Sequence, residues 1–133
     1  MDKPTKKLRK ILVTQALPYA NAPLHLGHIL EAVQTDIWTR YQNLNGHECL
    51  FFCADDTHGT PVMLKAKEMN ISPEELIKDV YEDHKTTYEL YGINFTNFYS
   101  THSDENKTFS EEIYIKAKEN NLISKQIVEQ LFD

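Results

Sequence analysis

The sequence predicts an α/β fold, an open and mostly parallel sheet with helices on both faces. Short apolar, β-branched runs alternate with stretches of helical periodicity, and connections this short favour right-handed crossovers between parallel strands. The composition agrees. A chain of 133 residues, 41% hydrophobic and 26% charged, can bury the core of one compact domain, and 4 Gly with 5 Pro exclude a fibrous or low-complexity chain.

The chain opens on Lys3, Lys6, Lys7, Arg9 and Lys10 against Asp2, inside a protein of net charge −6. Residues 1–10 read as a basic, mobile tail and 11–133 as the domain; the acidic whole does not advertise general affinity for nucleic acid phosphates. Ile11-Leu12-Val13 is far shorter than a secretory apolar region, and no run approaches membrane-spanning length, so a cytoplasmic location without membrane contact is expected.

Lys10–Gln15 is the first strand, and the Pro-punctuated 17–23 stretch after it cannot be helix. From Leu24 the recurrence of Leu26, Ile29, Leu30, Val33, Ile37, Tyr41 and Leu44 predicts a helix over about 25–45, closed by Asn45-Gly46. The same spacing predicts that Trp38 and Tyr41 lie in the core with Val33, Ile37 and Leu44. Glu48–Cys53 is apolar on both faces, as suits an interior parallel strand covered on each side, with Cys49 and Cys53 as buried thiols. Their spacing, with no second pair, predicts no structural zinc.

Thr60-Pro61 starts a helix to about Met69, and Ser72-Pro73-Glu74-Glu75 caps another reaching Gly92. Phe98–Thr101 is a third strand candidate. Ser103-Asp104-Glu105 then begins a helix to about Asn120, and Ile123–Phe132 is read as a further strand.

Open α/β sheets bind ligands at the carboxyl ends of their strands, and both polar clusters stand there: residues 16–28 after the first strand and 54–60 after the second. His25 and His28, one helical turn apart at a helix start, can contact one phosphate chain together, where free backbone N–H groups also attract anions. Gly27 between them costs helix stability and makes room for a flat ring. Two other readings fit that spacing. The pair could be half a metal site, although no third ligand or H-E-x-x-H glutamate stands nearby, or it could be two capping histidines with no ligand.

Residues Gln15 to His28, with their Leu-Pro-Tyr-x-Asn form and His25-Leu26-Gly27-His28, resemble the signature of class I aminoacyl-tRNA synthetases, and within them the methionyl-tRNA synthetases. Phe52 to Pro61 and Tyr99 to Ser103 resemble that family's next two segments. The resemblance implies the first half of a Rossmann-like nucleotide-binding fold. It also implies an activity: methionine and ATP give methionyl-adenylate, which is transferred to tRNA(Met) for protein synthesis.

On that resemblance His25 and His28 are the catalytic pair, and His25, Gly27, His28 and Glu31 hold ATP, with Mg2+ expected to accompany it. The backbone at Ala16 and Leu17, the Tyr19 ring and Asp56 surround methionine. A carboxylate suits an α-ammonium, and an aromatic ring suits a thioether. His58 and Gly59 shape a loop, His102 approaches the pocket and Tyr99 forms part of its wall. The sequence holds no Lys-Met-Ser-Lys-Ser-like loop, no zinc module and no anticodon-binding domain, so the resemblance is to the amino-terminal part of the catalytic domain. tRNA would be read by regions absent from these residues, and this chain alone is expected not to charge it. The alternative is a small stand-alone nucleotidylyltransferase or a nucleotide-binding module, which use a similar His-x-Gly-His turn.

Overall fold

The computed structural model describes residues 7–127 and divides the chain into two compact units, Met1–Thr101 and His102–Asp133. In the first unit the elements run β1 (Lys10–Thr14), α1 (Leu26–Leu44), β2 (Glu48–Asp55), α2 (Thr60–Met69), α3 (Pro73–Leu90) and β3 (Asn97–Ser100). The second unit holds α4 (Asp104–Glu119), whose N-cap Ser103 accepts from the Asn106 N–H at 3.1 Å. Among the described residues, no helix is long and apolar enough to cross a membrane.

The three strands form one parallel sheet in the order β1-β2-β3, with Val13 opposite Phe51 and Cys53 opposite Phe98. This is the Rossmann-like arrangement the alternating pattern predicts. Each crossover advances one strand in the same direction, and two right-handed crossovers of that kind put their helices on one face. Ile29 and Ala32 of α1 and Tyr88 of α3 therefore meet over Phe51, with Ile93 beside them and Val13, Phe95 and Phe98 packed against the cluster. Within this unit Leu12 and Leu50, on the alternate positions of β1 and β2, are exposed, so β2 is central but not covered on each side as its doubly apolar run predicts: both crossovers place their helices on the other face. A second cluster joins Val62 and Ala66 of α2 to Leu76, Ile77 and Val80 of α3, and Ala20 and Tyr19 from the loop after β1 pack into it.

The local signals behave as their chemistry requires. Ser72 caps α3 by accepting from the Glu75 N–H at 3.1 Å, with Pro73 in the first turn. Asn70 closes α2 in the left-handed region at φ 56°. Cys49 and Cys53 are buried on β2, and burial pushes the Cys53 thiol up to about 12.

Two further expectations are corrected. α1 does not bury its most apolar stripe: Ile37, Tyr41 and Leu44 are 61%, 60% and 88% exposed, and Trp38 is exposed as well. Val33 alone of that set packs against the core. The buried positions are Ile29, Ala32, Asp36, Thr39 and Gln42. Their polar members have specific partners that hydrophobic spacing cannot reveal: Asp36 Oδ1 accepts from the Asn94 N–H at 3.0 Å, Asp36 Oδ2 from Arg40 Nε at 2.5 Å, and Gln42 Oε1 from Arg9 at 3.4 Å. The second correction concerns the carboxyl end. Residues 123–127 are not strand, since an apolar run without a neighbour to pair with does not form one; residues 128–132 of that expectation lie outside the described residues.

Candidate functional site at the carboxyl ends of β1 and β2

The two polar clusters are knitted together backbone to backbone. Asp56 N–H donates to the Pro18 carbonyl at 2.9 Å and Ala20 N–H to the Asp56 carbonyl at 2.8 Å, so Tyr19 and Asp56 pair as an isolated parallel bridge just beyond the strand ends. Tyr19 continues the union through its side chain, its hydroxyl donating to the His58 carbonyl. That contact explains Gly59. Its φ of +115° suits glycine, and a Cβ there would lie 2.7 Å from the Tyr19 oxygen. The end of β3 is tied in as well, because Thr57 N–H donates to Thr101 Oγ1 at 2.9 Å and Thr101 N–H to the Asp55 carbonyl at 3.0 Å.

His25 and His28 sit at the start of α1, and there they cap the helix. His25 is the N-cap: its Nδ1 accepts from the Gly27 N–H at 3.1 Å, and His28 Nδ1 accepts from the His25 N–H at 3.4 Å. The rings stack with centroids 3.8 Å apart and planes 19° from parallel. Capping decides the tautomer. A neutral imidazole whose Nδ1 accepts carries its proton on Nε2, so each ring keeps an Nε2–H donor. Burial, then the His25 and His84 charges, push the His28 pKa down while Glu31 opposes them, which favours that neutral form. Gly27 takes on a second meaning, because a Cβ there would lie 2.9 Å from His25 Cε1 and 3.0 Å from its Nδ1. The missing side chain makes room for the capping ring itself.

Glu31, one turn beyond His28, accepts from the Ala16 N–H through Oε1 at 2.8 Å. It therefore fixes the start of the loop that runs on through Leu17 and Tyr19. Leu17 is exposed and Tyr19 partly buried, so the loop offers both backbone and ring on the side of Asp56. Tyr99 stands elsewhere, in a cavity at the β3 edge with Tyr81, Lys85 and Phe98. His102 belongs to the second unit. Among the described residues no cluster of His, Cys, Asp or Glu could hold a metal ion.

Sequence reasoning missed the layer beneath this rim. Asp55, the last residue of β2, and His84 of α3 are fully buried, with Asp55 Oδ1 2.8 Å from His84 Nδ1. His84 Nε2 lies 2.9 Å from the Ala22 carbonyl. Beside them Gln15 Nε2 donates to the buried Tyr88 hydroxyl at 3.4 Å. A signal was available: Asp55 continues the alternation Cys49, Phe51, Cys53, and His84 continues the spacing Leu76, Ile77, Val80, so both are polar groups at core positions.

The fold that carries this site has solved counterparts. A leucyl-tRNA synthetase from Agrobacterium radiobacter, in a ternary complex with tRNA and LeuAMS, superposes at a TM-score of 0.82 with 21% identity over 90% of this chain and 16% of its own. A Mycobacterium tuberculosis methionyl-tRNA synthetase in complex with methionyl-adenylate superposes at 0.81 with 23% identity, over 86% of this chain and 22% of its own. The chain thus spans about a fifth of the length of these proteins, and the likeness carries the fold. The family model described as class I (M) tRNA synthetases matches residues 11–133, and by that match the chain belongs to the class I tRNA synthetases.

Proposed function

We propose that this chain is the amino-terminal part of a methionyl-tRNA synthetase catalytic domain, and that its rim binds ATP and methionine for adenylate formation. One observation carries the reading. The Ala16–Ala22 loop is bridged to Asp56 at Tyr19 and held at Ala16 by Glu31, one turn beyond His28 on the helix that the histidines start, so one loop links the amino-acid and phosphate candidates. The class I (M) match supports methionine as the substrate.

In this reading a methionine carboxylate oxygen attacks the α-phosphorus of ATP, an O–P bond forms, and the bond to the leaving pyrophosphate breaks. His25 and His28 donate from Nε2–H to phosphate oxygens as charge develops there, and losing one such preorganised donor costs on the order of 10² to 10³ in rate. Gly27 lets adenine approach the helix, and Glu31 holds Ala16 in place. Asp56 faces the α-ammonium, while Ala16, Leu17 and Tyr19 surround the thioether side. Mg2+ travels with ATP as its counter-ion. Transfer of the methionyl group to tRNA(Met) is the second half of the reaction in this reading.

The test is calorimetric titration of the chain with sulfamoyl analogues of methionyl- and leucyl-adenylate. Preference for the methionyl analogue, lost in the His25→Ala, His28→Ala double variant, is the expected result. Equal affinity for both analogues overturns methionine as the substrate, and equal binding by the double variant removes the histidines from the site.

A further inference from the structure

The buried Asp55 and His84 are not accounted for by ligand contact. His84 faces two acceptors. The Ala22 carbonyl on Nε2 can only accept, so Nε2 carries a proton; the Asp55 carboxylate on Nδ1 needs a second proton between the two atoms. Asp55 Oδ2 has no hydrogen-bond partner among the described residues, which leaves Oδ1 and His84 as the means of compensating this buried carboxylate. Whether that second proton is drawn on nitrogen or oxygen, the pair holds one more than a neutral imidazole beside a free carboxylate.

We propose that Asp55 and His84 are positioning residues: through the shared proton and the His84 Nε2–H bond to Ala22 they set the loop between Tyr19 and His25, so that the rim binds its adenylate less tightly once that proton is lost. The inference rests on the proposed function for its ligand and on the geometry above for the strut.

The surroundings leave the titration to the pair. Burial raises the Asp55 pKa, with His84 opposing; burial lowers that of His84, but the Asp55 and Ala22 bonds outweigh it and the net direction is upward. Facing the pair are His28 from α1, pushed down, Cys53 from β2 and Tyr81 and Tyr88 from α3, all pushed up, and Asp83 from α3, which favours the imidazolium. The raised thiol and phenols stay uncharged, and Asp83 is the charged neighbour that holds the proton on the pair.

The experiment compares the wild-type chain with Asp55→Asn and His84→Gln, the latter keeping an N–H donor for Ala22. NMR of isotope-labelled imidazoles and carboxyls, with His84 assigned by its absence in His84→Gln and Asp55 by its absence in Asp55→Asn, is expected to show the pair holding its extra proton at pH 7, on ring or carboxyl, and losing it above the ordinary histidine range; a neutral His84 ring beside an ionised Asp55 carboxylate at pH 7 overturns the proposal. Affinity for the sulfamoyl analogue of methionyl-adenylate is expected to weaken about tenfold through that titration in the wild type and to lose this component in Asp55→Asn. Any slope from the ligand's own groups is shared by both proteins. Parallel pH profiles in wild type and Asp55→Asn mean a merely structural pair and also overturn the proposal.

If no protein binds the analogue, the proposed function fails and the strut is judged without ligand. The protection factor of the Ala20 amide, which donates to Asp56, is then expected to fall as His84 loses its proton in the wild type and to stay level in Asp55→Asn. Protection that ignores the titration overturns the strut.

Discussion

His25 and His28 at the start of α1 and His84 inside α3 reach the same loop from different elements and treat their protons in opposite ways. The first two spend Nδ1 on capping backbone N–H groups and keep an Nε2–H donor. His84 has both nitrogens engaged and is fully buried against a carboxylate. The environment around the imidazole decides the role: an N-cap yields a neutral donor, whereas an acid and a carbonyl together demand the extra proton. One loop is thus shaped by a support beneath and offered to solvent by donors above.

The largest effect that can break this contrast is at Asp55. Asp55→Ala leaves His84 buried without its acid and is expected to cost about 3–5 kcal/mol in urea unfolding, against about 1 kcal/mol for removing the His25 cap. Similar losses at the two sites would erase the distinction between support and donor. Next comes binding, where the order reverses: His28→Ala should leave the fold intact by circular dichroism and weaken the sulfamoyl methionyl-adenylate analogue about a hundredfold.

The pH dependence of stability sharpens the comparison further, because the two limbs have opposite signs. The folded pKa of His84 is raised, so its contribution is complete below the unfolded value near about 6.5 and is lost as pH rises through the folded value. The folded pKa of His28 is lowered, so its contribution is present above about 6.5 and is lost as pH falls through the folded value. Urea unfolding of His84→Gln should lose the alkaline limb, and of His28→Ala the acid limb. Glu31→Gln is the smallest change. Its amide oxygen still accepts from Ala16, so stability should stay within about 0.5 kcal/mol, whereas Glu31→Ala should speed exchange of the Ala16 amide.

Most of the fold was legible because its signals are local. Proline in the 17–23 stretch, the Ser72 cap and the apolar alternation of β2 act through sterics and backbone hydrogen bonds that the sequence spells out. The rotation of α1 was not. Its apolar residues cover more than one side, and the choice among sides is made by Asn94 and Arg9, far away in the chain. The rim histidines were legible through their spacing at a helix start, and so was the meeting of loop 16–28 with Asp56. The pair below was not, since a lone Asp and a lone His on separate elements reveal a shared proton only when the fold brings them within 2.8 Å.

The central strand also carries a clock. Cys49 and Cys53 lie along β2, and the Cys53 thiol, pushed up to about 12, presents almost no thiolate at neutral pH. An alkylating reagent can label Cys53 at an ordinary rate only during excursions that wet the strand, so the pace of labelling counts openings of the sheet one molecule at a time. Run with and without ligand, the same labelling reports whether occupying the rim slows the breathing of the strand beneath it.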